Sequence, residues 1–315
     1  MTKANLFIVG APKCGTTSLF DYLCQHKAIN GSSTKEPFFF SPDVRATNTP
    51  FPIADYHDLF DFSTPHKYYL ESTTWYLYSS EAAREIFNYH PDAKIIIMLR
   101  NPIELMVSLY NFRMYYGTEN APSIISAIKE GEEIQHGTVK KKSTSLAEKQ
   151  YSYLGVASYA HQIKRYQKIF PGSNIHFIKF DDFKSDTSSS VKDVMLFLGE
   201  DPNFSFETKS ISNQGKEVKS KKLNDLLSNP PKPLKSIAQI LFDEKSRSKI
   251  YRQGQKLISR KPDPQKRETQ KQEIAQVYGD GFLDDIKTTE TLTNLDLRDW
   301  TNQISEWKSK TIKPV

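Results

Sequence analysis

The segment Gly10-Ala-Pro-Lys-Cys-Gly-Thr-Thr-Ser18 has the makings of an anion cradle. Its glycines leave backbone N–H groups bare, the hydroxyls of Thr16, Thr17 and Ser18 add donors, and Lys13 puts a positive charge inside the turn. Where such a turn opens a helix, the helix dipole adds positive potential. The spacing is close to the phosphate loop G-x-x-x-x-G-K-[ST]. It departs from that loop at one position: Thr16 stands where the lysine belongs, and the lysine comes earlier, at Lys13. In a kinase the later lysine reaches the β- and γ-phosphates and the next hydroxyl holds Mg²⁺. A cation inside the turn argues against ordinary ATP chemistry and for a ligand with one bridging phosphate whose distal group leaves. The competing reading is a plain glycine turn with Lys13 solvated.

A second candidate is Arg100-Asn-Pro-Ile-Glu-Leu-Met-Val-Ser108. A guanidinium at a strand end holds a phosphate through two parallel hydrogen bonds, and a hydroxyl two turns into the next helix completes the shell. Alone, the same residues also suit a surface ion pair and a solvent-facing serine.

These groups need elements to position them. Leu6 to Val9 is a short apolar run ending at Gly10 and reads as a buried strand. Thr16 to Gln25 follows as a helix with Leu19, Phe20 and Leu23 on one face. Lys67–Glu71 is a second strand, Glu81–Tyr89 a helix, and Lys94–Leu99 (KIIIML) the strongest strand, with the continuous β-branched character of a central parallel strand. Asn101-Pro102 opens a helix over Ile103–Tyr116. Tyr153–Phe170 reads as one long helix stopped by Pro171-Gly172, Ile175–Phe180 as a strand and Ser188–Leu198 as a helix. Alternating strands and helices predict an α/β fold with a central, mainly parallel sheet flanked by helices, which binds ligands at the carboxyl ends of its strands. The expected organisation is a single domain over 1–315, with a core near 5–200. A basic C-terminal part covers about 205–315, and its stretch to Lys271 reads as loops and short helices.

The 315 residues suffice for a substantial core without cross-links. A net charge of +6 suits an anionic ligand or nucleic acid and decides neither. Two cysteines, Cys14 and Cys24, exclude a disulfide framework and fit reduced thiols. With no signal peptide and no apolar stretch long enough to span a bilayer, the expectation is a soluble, cytoplasmic chain. No metal is expected, because the seven histidines and two cysteines show no ligand spacing.

Together P-K-C-G-T-T-S and R-N-P-I-E-L-M-V-S, about ninety residues apart, resemble the 5'-phosphosulfate loop and 3'-phosphate motif of the sulfotransferase superfamily. The likeness is to its carbohydrate and heparan sulfate branch and bacterial relatives. Lys35-Glu36-Pro-Phe-Phe-Phe40 is similar to that family's K-E-P-x-F-F segment, and Glu71-Ser-Thr-Thr-Trp-Tyr76 to its E-x-[ST]-P-x-Y segment. Gly155 to Tyr159, and more faintly Leu295 to Trp300, resemble later blocks.

The resemblance implies a P-loop NTPase-like sulfotransferase fold and 3'-phosphoadenosine 5'-phosphosulfate as donor, leaving as adenosine 3',5'-bisphosphate. Lys13, Gly15, Thr16 and Thr17, within the motif Pro12–Ser18 that includes Cys14, would hold the 5'-phosphosulfate. Arg100 and Ser108 would hold the 3'-phosphate, and Lys216 and Lys219 fall where the family has a loop over it. Lys13 would stabilise the departing oxygen. Glu36 matches the branch's general base; His57 and His66 are the rivals by analogy with the aryl and alcohol branch. The lysine that often follows the glutamate of the E-x-[ST]-P segment is replaced by Ser72, and its proline by Thr74, so a second cation on the sulfuryl group is in doubt. Glu71 reads as a strand-end carboxylate pairing with a lysine in preference to an acid–base group, and Tyr153 and Tyr159 as partial core or acceptor-pocket lining.

The acceptor would be a glycan or small alcohol, bound by the loops Ser41–His66 and Gly117–Gln150, with no nucleic-acid partner. A P-loop kinase would need a lysine after Gly15 and an acidic residue where Arg100 stands. A non-catalytic anion- or glycan-binding module on the same fold is the third reading.

Overall fold

The computed structural model describes residues 2–45, 49–135, 152–208, 217–219, 221–228, 231 and 243–310. Apolar runs build its centre. β1 (Leu6–Gly10) is buried throughout, and β4 (Lys94–Leu99) is buried apart from Lys94, as strands covered on both faces must be. With β2 (Ile29–Gly31), β3 (Tyr68–Ser72) and β5 (Ile175–Lys179) they form a sheet of order β2-β3-β1-β4-β5 in which every neighbouring pair is parallel. Leu6 lies opposite both Leu70 and Lys94, so the carboxyl ends of β1, β3 and β4 meet at one edge. The chain runs from β1 out to β2 and β3, then crosses back to β4. That reversal opens a crevice at the same edge. The expected P-loop-type sheet with flanking helices is the fold found.

The turn after β1 leads straight into α1 (Thr16–Leu23). After α2 (Ile53–His57) and α3 (Ala82–Tyr89), α4 (Pro102–Tyr115) begins as its sequence predicts. Pro102 occupies the first turn, and the Asn101 side-chain oxygen accepts from the N–H groups of Ile103 and Glu104 at 3.0 and 3.5 Å. α5 (Ile124–Gln135) has no counterpart in the sequence reading.

The single helix expected over 153–170 is two, α6 (Tyr153–Ala157) and α7 (Tyr159–Gln167). Ser158 between them is extended, with ψ 100°. A distant residue pays for the break: the Asp285 carboxylate accepts from the N–H groups of Tyr159 and Ala160 at 2.8 and 3.1 Å. The Gln162 amide donates to the orphaned carbonyls of Gly155 and Ser158, both at 2.7 Å. Beyond β5 come α8 (Phe180–Ser185) and α9 (Thr187–Leu198).

The C-terminal part is helical well beyond Lys271, where the reading of loops and short helices stops. Besides α10 (Lys221–Ser228), α11 (Glu244–Ile258) and the short pair β6 (Glu217–Val218) and β7 (Ser259–Arg260), it holds a 30-residue helix, α12 (Pro264–Thr293). The start of α12 is local chemistry: Pro264 sits in the first turn and Asp263 accepts from the N–H groups of Gln265 and Lys266. Its length is set by packing against α4, α7 and α13 (Arg298–Ser309). At Gly279 a Cβ would stand 3.0 Å from Ile304 Cγ2, so the two last helices approach closely there. Trp300, fully buried, belongs to the same continuous core as the sheet. No described helix is long and apolar enough to cross a membrane.

Candidate functional site

The turn between β1 and α1 stands at the crevice. Ala11 N–H donates to the Met98 carbonyl of β4 at 2.6 Å, which fixes the turn to the central strand. A Cβ on Gly10 would lie 2.6 Å from Leu77 Cβ, so only glycine fits where the chain passes beneath residues 74–77. Lys13 and Gly15 both take left-handed backbone, φ 65° and 80°. Gly15 does so freely; Lys13 is held there at a cost of about 1–3 kcal/mol. α1 has no side-chain cap and no acidic residue in its first turn, so its first N–H groups face the crevice without a carboxylate to satisfy them.

Of the other motif residues, Pro12, Cys14, Thr16 and Ser18 are buried and Thr17 half-buried. Burial pushes the Cys14 thiol up to about 12, which marks it as packing. Lys35, outside the turn, donates its ammonium to Thr17 Oγ1 at 2.9 Å.

Lys13 lies half-buried with Nζ 3.9 Å from the centroid of Phe112, on α4. Burial, and after it the Arg100 charge, lower its pKa to about 8 against the opposing pull of Glu36. Arg100, at the end of β4, donates one bond to the Lys13 carbonyl at 3.2 Å and two to Glu104 Oε2 at 3.2 and 2.9 Å. Its guanidinium rests 4.7 Å over the Phe180 ring. Glu104 is also bonded by Lys271 of α12 at 2.9 Å. Burial alone would raise Glu104, but the Arg100 and Lys271 charges outweigh it and hold the carboxyl at about 2.

Glu36 reaches the same edge. Its N–H donates to the Ser72 carbonyl at 2.9 Å, and Thr74 Oγ1 donates to its Oε1 at 3.0 Å. Thr74 is the residue that stands in place of the family's proline, and it gains a hydroxyl by that departure. Burial raises the Glu36 pKa, against the pull of Thr74, Lys35 and Lys13. Glu36 and Phe38 are both left-handed, φ 55° and 58°. Among the described residues, three of the four non-glycine residues with positive φ thus gather at this edge; the fourth, Asn294, ends α12.

Among the described residues Glu71 pairs with no lysine, contrary to the expectation. It is fully buried, and its oxygens accept from Thr73 Oγ1 (2.6 Å), Tyr56 Oη (2.9 Å) and Tyr76 Oη (3.2 Å). Burial pushes its pKa up to about 7 despite those bonds. Tyr153 and Tyr159 are core. Tyr153 Oη donates to Glu119 at 2.7 Å, and Tyr159 Oη to the Arg100 carbonyl at 2.8 Å, so Tyr159 braces the site from below. His57 shares a 3.0 Å bond with Tyr89, and His66 meets the Lys27 carbonyl at 2.9 Å. Neither histidine contacts Lys13 or Glu36 among the bonds of the described residues.

Ser108 is half-buried on α4. Lys219 is exposed, with Nζ 3.1 Å from the Leu257 carbonyl, and Lys216 lies outside the described residues. Among the described residues, no three His, Cys, Asp or Glu gather in a way that would hold a metal ion.

Glu104, Lys271, Thr74 and Phe112 have no assigned role in the sequence reading. The i,i+4 spacing of Arg100 and Glu104 was a usable signal for one of them. The others meet the site only through the fold.

A family model described as a sulfotransferase domain matches residues 3–256. Carbohydrate sulfotransferase 15 of Homo sapiens is 24% identical over 304 residues, covering 76% of this chain and 54% of that protein. Heparan sulfate glucosamine 3-O-sulfotransferase 3B1 of Mus musculus is 24% identical over 192 residues, 61% of this chain and 45% of that protein. The chain therefore spans about half the length of these relatives. The crystal structure of a sulfotransferase from Alicyclobacillus acidocaldarius superposes with a TM-score of 0.67 at 26% identity, covering 95% of this chain and 99% of that one.

Proposed function

Because the chain belongs to the sulfotransferase family, we propose that it moves a sulfuryl group from 3'-phosphoadenosine 5'-phosphosulfate to an acceptor hydroxyl or amine. The observation that carries this reading is the first turn of α1. It is uncapped and free of acid, it follows a left-handed glycine, and its cation sits within the turn at Lys13. Bare N–H groups, three hydroxyls and an ammonium suit a phosphosulfate.

In this reading Lys13, Gly15, Thr16 and Thr17 hold the 5'-phosphosulfate, with Pro12, Cys14 and Ser18 shaping the turn. Arg100 and Ser108 take the 3'-phosphate, and Lys216 and Lys219 belong to a loop over it. The acceptor oxygen forms a bond to sulfur while the bond from sulfur to the bridging oxygen breaks. The products are a sulfate ester and adenosine 3',5'-bisphosphate. Lys13 neutralises the charge that grows on the bridging oxygen, an interaction stronger in the transition state than before it. Glu36, made more basic by burial and oriented by Thr74, takes the acceptor proton. The relatives' names favour a carbohydrate acceptor, and the donor half of the reading does not depend on that choice.

Thermal melting tests it. Adenosine 3',5'-bisphosphate should raise the melting temperature and ATP with Mg²⁺ should not. A shift with ATP and Mg²⁺ alone would support a P-loop kinase. A shift without any transfer of labelled sulfate would support a non-catalytic binding module.

A further inference from the structure

A cavity of about 190 Å³ opens beside the candidate catalytic pair, lined by Phe38, Val44, Trp75, Leu109, Phe112, Arg113 and Thr118. Three of these residues tie it to the site. Phe112 carries the Lys13 ammonium on its ring, 3.9 Å from the centroid. Phe38 lies two residues beyond Glu36, and Trp75 follows Thr74, whose hydroxyl bonds the Glu36 carboxylate. An acceptor seated here would have its reacting group next to Lys13 and Glu36. Val44 and Thr118 come from the two segments expected to form the acceptor pocket.

The lining sets the chemistry. Its one charged side chain, Arg113, is buried and already engaged: it pairs with Glu119 at 3.1 Å and donates to Tyr153 Oη at 3.2 Å and to the Thr118 carbonyl at 3.1 Å. The Thr118 hydroxyl is turned to the Arg113 carbonyl at 3.3 Å. Among the described residues, no lining side chain other than the engaged Arg113 carries a charge to meet the carboxylates and sulfates of an acidic glycan. The hydroxyls of a neutral sugar would also find few partners here, and a buried polar group without a partner is unfavourable. The rings of Phe38, Trp75 and Phe112 instead offer faces and edges for an aromatic guest. An apolar cavity of roughly 150 Å³ holds a benzene ring, so this one has room for a single ring system.

Resting on the sulfotransferase reading above, we infer that the acceptor is an uncharged aryl alcohol, its ring held by Phe38, Trp75 and Phe112 and its hydroxyl presented to Glu36 and Lys13. The acceptor's O–H proton passes to Glu36, its oxygen bonds to sulfur as the bond from sulfur to the bridging phosphate oxygen breaks, and an aryl sulfate leaves with adenosine 3',5'-bisphosphate as the other product.

The test uses the full chain with 3'-phosphoadenosine 5'-phosphosulfate as donor and three acceptors: 2-naphthol, a methyl glucoside and desulfated heparan. Transfer to 2-naphthol should exceed transfer to either carbohydrate at least about tenfold in kcat/KM. Val44→Trp, which fills the cavity, and Trp75→Ala, which removes a wall, should each raise KM for 2-naphthol about tenfold or more. Both should keep the wild-type melting shift with adenosine 3',5'-bisphosphate. If that shift is present while sulfate goes to a carbohydrate as fast as to 2-naphthol, or to no 2-naphthol at all, the aryl acceptor is overturned and the donor reading stands. If wild-type protein shows no shift, the donor reading falls and the inference with it. Should either variant fail to fold, a further rise in wild-type melting temperature on adding 2-naphthol to the bisphosphate complex supports the pocket, and its absence counts against it.

Discussion

Lys13 and Glu36 carry opposite charges and opposite shifts for one reason: both are drawn out of water at the edge of the sheet. Lys13→Ala should lower kcat by about 10²–10³-fold, the scale of losing one preorganised group at a developing charge. The melting temperature without ligand would check that the fold persists in that variant. With its pKa near 8, Lys13 loses its charge as pH rises through that value in the free protein. Affinity for the bisphosphate should then weaken by up to about tenfold per pH unit above 8, measured by titration calorimetry. Glu36→Gln should cost about 10²–10⁴-fold in kcat. A base with a raised pKa must lose its proton to act, so wild-type activity should rise with pH through that raised value, and the variant should lose this acid limb.

At the scale of elements, α4 and α12 are joined by a charge cluster. Glu104 on α4 accepts from Arg100 and from Lys271 on α12, each at 2.9 Å at its shortest. The side chains are only about a fifth exposed, 19–21%, so screening leaves part of the interaction intact. Glu104→Gln leaves two cations with a neutral partner and should destabilise the fold by about 1–2 kcal/mol in urea unfolding at pH 7. The sign with pH follows from the depressed pKa. The carboxylate's contribution is present above its unfolded value of 4.5 and is lost as pH falls towards about 2. The break between α6 and α7 belongs to this scale too. Tyr153 to Phe170 has no proline, and its one glycine, Gly155, lies three residues before Ser158; Asp285, far along the chain, supplies the cap that makes the break favourable.

For the whole molecule, the C-terminal helices and the site share one core. Trp300 on α13 is fully buried and 6.3 Å from the ring of Tyr159, whose hydroxyl bonds the Arg100 carbonyl. Lys179, at the end of β5, pairs with Asp299 of α13 at 2.7 Å. The residues matched by the family model end at 256, before either contact on the C-terminal side. Trp300→Ala should cost about 3–5 kcal/mol in chemical denaturation. Because Tyr159 would lose its packing, the variant should also show a higher KM for the donor at temperatures where it is still folded.

What could be read along the chain was whatever neighbours in sequence decide. The strand Lys94–Leu99 kept its bounds to the residue, and the Asn101-Pro102 helix start is a local hydrogen-bond pattern. The anion turn at Gly10–Ser18 is likewise a matter of adjacent residue types. Glu36 was legible only through resemblance, since nothing near it says which strand end it will reach. The hydroxyl cluster around Glu71, the hold of Arg100 and Lys271 on Glu104, and the aromatic cavity beside Lys13 join residues up to 167 positions apart. Charge and burial act through space, so their partners, and the chemistry they permit, exist only once the sheet has brought those segments to one edge.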